Sequence, residues 1–135
     1  RLLLEAKALD ATGDGDKALA LLSQSSLLAA IEQAADVYWR RKDWASAAAL
    51  YRKAYAATDA ADDRRSRRLL RSGVSYVAAN DEDGLSALLE LAQSDAARPE
   101  FLLLQKFQES GSLSEGFTTL YKQAFADDGV SRSQY

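Results

Sequence analysis

Ala34-Ala35-Asp36-Val37-Tyr38-Trp39-Arg40-Arg41-Lys42-Asp43-Trp44-Ala45-Ser46-Ala47-Ala48-Ala49-Leu50-Tyr51-Arg52-Lys53-Ala54 holds two amphipathic segments joined by a short polar turn. In the second segment Ala47, Leu50, Tyr51 and Ala54 recur at i, i+3, i+4 and i+7, the period of one helix face. Lys42-Asp43 breaks the pattern, and the Asp43 side chain stands where it can accept from the free N–H groups that open the next helix. A connection this short makes the two helices antiparallel neighbours. The stretch therefore reads as a helical hairpin.

Outward from it the same punctuation returns. Gly13-Asp14-Gly15-Asp16, Ser25-Ser26, Asp59 to Asp63 and Asn80 to Gly84 each interrupt an apolar pattern with turn and capping residues. Arg98-Pro99 marks a boundary, because proline suits a first helical turn and disfavours helix in the residue before it. Ser112 with Glu115 forms a capping box. The expectation is eight helices, at 1–12, 16–24, 26–41, 44–58, 62–80, 84–94, 99–110 and 113–127, paired into four hairpins, with a polar tail over 128–135. Ala and Leu dominate and β-branched residues are sparse, which points to an all-α protein without strands.

A small residue followed four positions later by a large apolar one recurs in the second helix of each hairpin: Ala18 with Leu22, Ala47 with Tyr51, Ala87 with Leu91 and Gly116 with Leu120. At that spacing the small residue admits a partner helix and the large one fills the gap beside it. The central hairpin, with Ala35, Tyr38, Trp44, Ala47, Tyr51 and Ala54 in place, resembles a tetratricopeptide repeat. Lys42 stands where that family commonly has Gly, and the spacing between hairpins is less regular than its repeat of about 34 residues. The resemblance implies a right-handed superhelix of about four hairpins over 1–127 that binds a protein or peptide in its concave groove.

It also implies which residues line that groove, namely those on the first helix of each hairpin: Glu32, Asp36, Trp39 and Arg40, then Ser72, Tyr76 and Asn80, then Gln105 and Glu109. Members of the family that clamp a terminal carboxylate use Lys and Asn at such positions, whereas Glu32 and Asp36 are acidic here, so a basic or mixed-charge segment is the expected ligand. Trp39 and Tyr76 would be anchors, with Asp36 and Arg40 fixing register. The alternatives are a Trp39 packed against a neighbouring helix, and an ordinary solvated face in which Asp36 and Arg40 form an i,i+4 pair. Hairpins of this kind stack because neither can hide both apolar faces alone. The very apolar start, Leu2 to Leu4, leads us to expect a segment of a longer array whose end faces join further repeats or copies of itself.

Charge and composition limit the other classes. The 135 residues carry a net charge of −3, which opposes wrapping nucleic acid. A basic patch, Arg64, Arg68 and Arg71 on one stripe of a helix, is the local exception. It reads as neutralised by Asp59, Asp62 and Asp63, with an acidic protein or nucleic acid as the alternatives. No interleaved aromatics offer stacking platforms, so nucleic acid is disfavoured. With no His and no Cys, thiol nucleophiles, Ser-His-Asp triads, disulfides and zinc-finger sites are excluded within these residues. Asp81-Glu82-Asp83-Gly84 lacks the alternating ligands of a calcium loop and reads as a helix cap. No phosphate loop or paired-carboxylate motif is present, so no metal, no cofactor and no catalysis is expected. No run is apolar enough for membrane insertion.

Overall fold

A computed structural model describes residues 2–22, 27–110, 122, 124 and 125. Among these it contains seven α-helices, one 3₁₀ turn and no strand. They are α1 (Leu2–Ala11), α2 (Gly15–Leu22), α3 (Leu28–Arg40), α4 (Trp44–Ala56), α5 (Arg64–Ala78), α6 (Glu82–Leu91) and α7 (Pro99–Ser110), with the 3₁₀ turn at Gln93–Asp95. The described residues are helical, in keeping with the all-α class that composition points to. The eighth expected helix, 113–127, lies outside the described residues apart from Lys122, Ala124 and Phe125.

Three turns share one construction. In the α3–α4 turn Lys42 N–H donates to Trp39 O at 3.0 Å and Asp43 N–H to Tyr38 O at 3.0 Å, the paired bonds of a Schellman motif. The α5–α6 turn repeats them, from Asn80 to Val77 O at 3.0 Å and from Asp81 to Tyr76 O at 2.9 Å. The α1–α2 turn does so again, from Gly13 to Asp10 O at 3.1 Å and from Asp14 to Leu9 O at 2.8 Å. Such a turn needs a residue with positive φ, and Gly13, Lys42 and Asn80 adopt +89°, +62° and +55°. Glycine takes that conformation freely and Asn tolerates it, whereas a lysine there costs about 1–2 kcal/mol. An Asp follows each time, and the carboxylates of Asp43 and Asp81 accept from the N–H groups of Ser46 at 3.3 Å and Gly84 at 2.8 Å.

This shared turn sets the register of the helix that follows. The residue four beyond each Asp donates its N–H to that Asp carbonyl: Ala18 at 3.0 Å, Ala47 at 3.1 Å and Leu85 at 3.1 Å. All three are buried, and so are Leu22, Tyr51 and Leu89 one turn later. Ala18 and Ala47 thus occupy the crossing positions assigned from sequence. Ala87 and Leu91 do not, since Ala87 is exposed and Leu91 is 52% exposed. In α6 the buried pair is Leu85 and Leu89, two residues earlier, and Gly84 makes the room instead: a Cβ there would lie 2.4 Å from the Tyr76 ring. Gly116 and Leu120 lie outside the described residues.

Helix α4 packs against α3 and α5, α5 also against α6 and α7, and α1 against α2 and α3. The larger apolar core gathers Tyr51 and Tyr55 of α4, Leu69, Leu70 and Val74 of α5, Leu88 of α6 and Leu104 of α7, with Phe125 added from the C-terminal segment. A smaller one joins Ala6, Ala18, Leu22 and Ala30. Helix α5 runs through the centre of the larger core, buried continuously from Arg68 to Val77.

Candidate functional site

The acidic stripe of α3 and the basic stripe of α5 face each other. Arg68 Nε donates to Glu32 Oε2 at 3.0 Å and its Nη2 to Glu32 Oε1 at 3.2 Å, a two-point carboxylate contact. Its Nη1 reaches Thr58 Oγ1 at 2.8 Å, and the side chain is 2% exposed. Arg71 lies 3.9 Å from Glu32 and 3.8 Å from Asp36, donates from Nε to Ala124 O at 3.0 Å, and places its guanidinium 4.9 Å from the Phe125 ring centre. Asp36 also accepts from the Tyr51 hydroxyl, whose pKa is raised by burial and then by the Asp36 charge beside it. Arg64 alone of the three is exposed, and it pairs with Asp62 at 3.0 Å. That hydrogen bond from Arg64 holds the Asp62 carboxyl down at about 2. Asp62 is the one local neutraliser found, while Arg68 and Arg71 find their counter-charges on α3.

A second polar cluster sits under the 3₁₀ turn. Asp95 accepts from the Tyr55 hydroxyl and from Arg65 Nε at 2.8 Å, and Arg98 Nε lies 2.8 Å from its other oxygen. Burial would raise the Asp95 pKa, but the Tyr55 and Arg65 hydrogen bonds and the two guanidinium charges outweigh it and lower it. Tyr55 is pushed up to about 12, by burial first and by its bond to Asp95 second. Sequence reasoning singled out none of Asp95, Tyr55 and Arg98 for this cluster. The signal available was an Asp between two alanine-bearing segments, three residues before an Arg.

The groove set assigned from sequence is dispersed. Trp39 is half-buried, its ring centre 4.6 Å from Trp44 edge-on and 4.6 Å from Phe125 in a stacked arrangement. Arg40 pairs with Asp10 of α1. Ser72 is fully buried and donates to Ala48 O at 3.1 Å. Gln105 and Glu109 are exposed on α7.

Tyr76 and Asn80 meet elsewhere, at an open cleft of about 260 Å³ between the end of α5, the start of α6 and α7. Tyr76 and Val77 of α5, Leu85 of α6 and Phe107 of α7 give it apolar walls. Asn80, Asp81, Glu82 and Asp83 surround them, and among the described residues no Lys or Arg lines it. Gln108 Nε2 donates to Ser86 Oγ at 2.6 Å, tying α7 to α6 along the wall. The cleft exists because the left-handed Asn80 turns the chain sharply and Gly84 lets α6 close on the Tyr76 ring. Tyr76 is 6% exposed, and its hydroxyl has no hydrogen-bond partner among the described residues. Burial raises its pKa, Arg52 opposes, and Asp81 adds to the rise, so the hydroxyl lies in the field of the Asp81 carboxylate. Asp81, Glu82 and Asp83 have no ion-pair partner among the described residues. The sequence marked them only as a helix cap, a role Asp81 does fill.

Among the described residues no group of acidic side chains is arranged to hold a metal ion, and no helix is long and apolar enough to cross a membrane. No protein-family model matches the chain, and neither a curated protein nor a solved structure does so.

Proposed function

We propose that this chain is a non-catalytic protein-interaction module, a right-handed superhelix of tetratricopeptide-like hairpins that holds a basic segment of a partner protein. The observation that carries the reading is the cleft at Tyr76, Asn80, Asp81 and Phe107: it is open, aromatic at its walls, acidic around them and, among the described residues, lined by no cation. A preformed concave site spares the partner much of the ordering cost on the module's side. The three equivalent turns support the repeat architecture, since one local design placed three times is what a hairpin array is built from. Pairing of Arg68 and Arg71 with α3 weighs against nucleic acid, because guanidinium groups already bound to carboxylates release few counterions from a phosphate backbone.

Fluorescence anisotropy with labelled oligolysine, oligoglutamate and a single-stranded oligonucleotide tests this. Oligolysine binds, and binding weakens as salt rises. Tighter binding of oligoglutamate or of the oligonucleotide would refute the reading. Self-association is a second reading, favoured by Leu4 and Leu27, which are 72% and 62% exposed. Light scattering that rises with protein concentration, and falls on Leu4→Glu, would support it.

A further inference from the structure

We infer that the cleft between α5, α6 and α7 is a receptor for one alkyl-cation side chain, lysine or arginine, of a bound protein segment, with the Tyr76 hydroxyl as an acceptor at its wall. The inference rests on the proposed peptide-binding function and assigns it a site and a ligand chemistry. Two independent observations converge. One is the set Asp81, Glu82 and Asp83, beside a cleft: among the described residues these three carboxylates have no ion-pair partner and no Lys or Arg lines the cleft. The other is Tyr76, a phenol more than nine-tenths buried in the cleft wall whose hydroxyl makes no hydrogen bond among the described residues. The hydroxyl oxygen keeps a little solvent contact, so it is an acceptor that the donor of a ligand can reach.

The chemistry of the walls narrows the ligand. Carboxylates and a phenol oxygen accept hydrogen bonds, and Lys and Arg side chains carry several donors and no acceptor. Val77, Leu85 and Phe107 offer apolar surface along which a methylene stem can lie while its charged end meets the acids. The aromatic faces of Tyr76 and Phe107 add attraction for a cation. The start of α6 opposes a cation with roughly half a positive charge, but three carboxylates in the same turn outweigh it. Arg52 is near enough to act on the Tyr76 hydroxyl yet does not line the cleft.

The test is amide shift mapping on the isotopically labelled full chain, titrated with oligolysine and, separately, oligoarginine. Shifts concentrate at Tyr76 to Ser86 and at Phe107 and Gln108, and the tighter of the two probes identifies which side chain the cleft prefers. Tyr76→Phe keeps the ring and removes the acceptor, so it lowers affinity roughly tenfold while the thermal midpoint stays level or rises. Asp81→Asn with Glu82→Gln and Asp83→Asn retains an N-cap, because Asn caps as well as Asp, and abolishes binding. Oligolysine binding with shifts elsewhere, or undiminished by Tyr76→Phe, overturns this site and leaves the peptide-binding function standing. Absence of binding to either probe overturns both.

Discussion

Two acidic clusters in this protein meet opposite fates. Glu32 and Asp36 on α3 are met by Arg68 and Arg71 of α5, the two arginines buried and the two carboxylates partly so. Asp81, Glu82 and Asp83 at the head of α6 have no ion-pair partner among the described residues and line an open cleft. The difference is made by the opposing element. α5 brings guanidinium groups at matching spacing to α3, whereas α7 brings Phe107 and Gln108 to α6. A charge run therefore acquires its role from the helix packed against it. At the α3–α5 seam charge specifies how two helices fit, and at the α6 cleft it is available to a ligand.

The sharpest way to break this comparison is to remove one side of the buried seam. Glu32→Ala leaves Arg68 buried with Thr58 as its remaining hydrogen-bond partner among the described residues, and should cost about 3–5 kcal/mol in urea unfolding. Asp83→Ala in the cleft should cost a few tenths of a kcal/mol, the scale of an acid near a helix N-terminus. Equal effects would erase the distinction. Next in size is Gly84→Ala, where the new methyl meets the Tyr76 ring at 2.4 Å. Overpacking of that kind costs about 1–3 kcal/mol, and the added group should also narrow the cleft, seen as weaker oligolysine binding.

A smaller effect appears in the acid limb of stability. The folded protein holds the Asp95 carboxyl below its ordinary pKa, so it binds a proton less readily than the unfolded chain does. Its contribution is complete above the unfolded value of about 3.9 and is lost as pH falls through the lower folded value. Urea unfolding followed from pH 6 to pH 2 should show a shallower decline for Asp95→Asn than for the parent protein.

The helices and most of their ends were legible because Gly, Asp, Asn and Pro act locally. Asp43 and Asp81 cap, Pro99 begins a helix, and these assignments need no knowledge of the fold. Register in the third hairpin was not legible, because in a chain so rich in alanine an alanine marks nothing by itself. Ala87 looked equivalent to Ala47 while the turn, through Asn80 and Asp81, had placed Leu85 there. The left-handed Lys42 hid the equivalence of the turns, since lysine is not a turn residue. Charge pairing across the seam escaped for a related reason. Spacing within one helix shows which side chains share a face but not which helix that face meets. Glu32 and Asp36 at i,i+4 and Arg68 and Arg71 at i,i+3 do form complementary stripes, and that match was the signal to be found. Of the groove residues inferred by resemblance, Tyr76 and Asn80 reach an open surface together, whereas Ser72 lies inside because the face of α5 that carries it packs against α4.

The most direct measurement of the central claim, that the arginines of α5 are counter-charges for α3, is a double-mutant cycle on Glu32→Ala and Arg68→Ala by urea unfolding. If the two side chains are buried partners, the double variant is more stable than the sum of the single losses requires, with a coupling energy in the upper part of the usual range of about 0.5–3 kcal/mol. Losses that add to within about 0.3–0.5 kcal/mol would show that Arg68 and Glu32 do not meet.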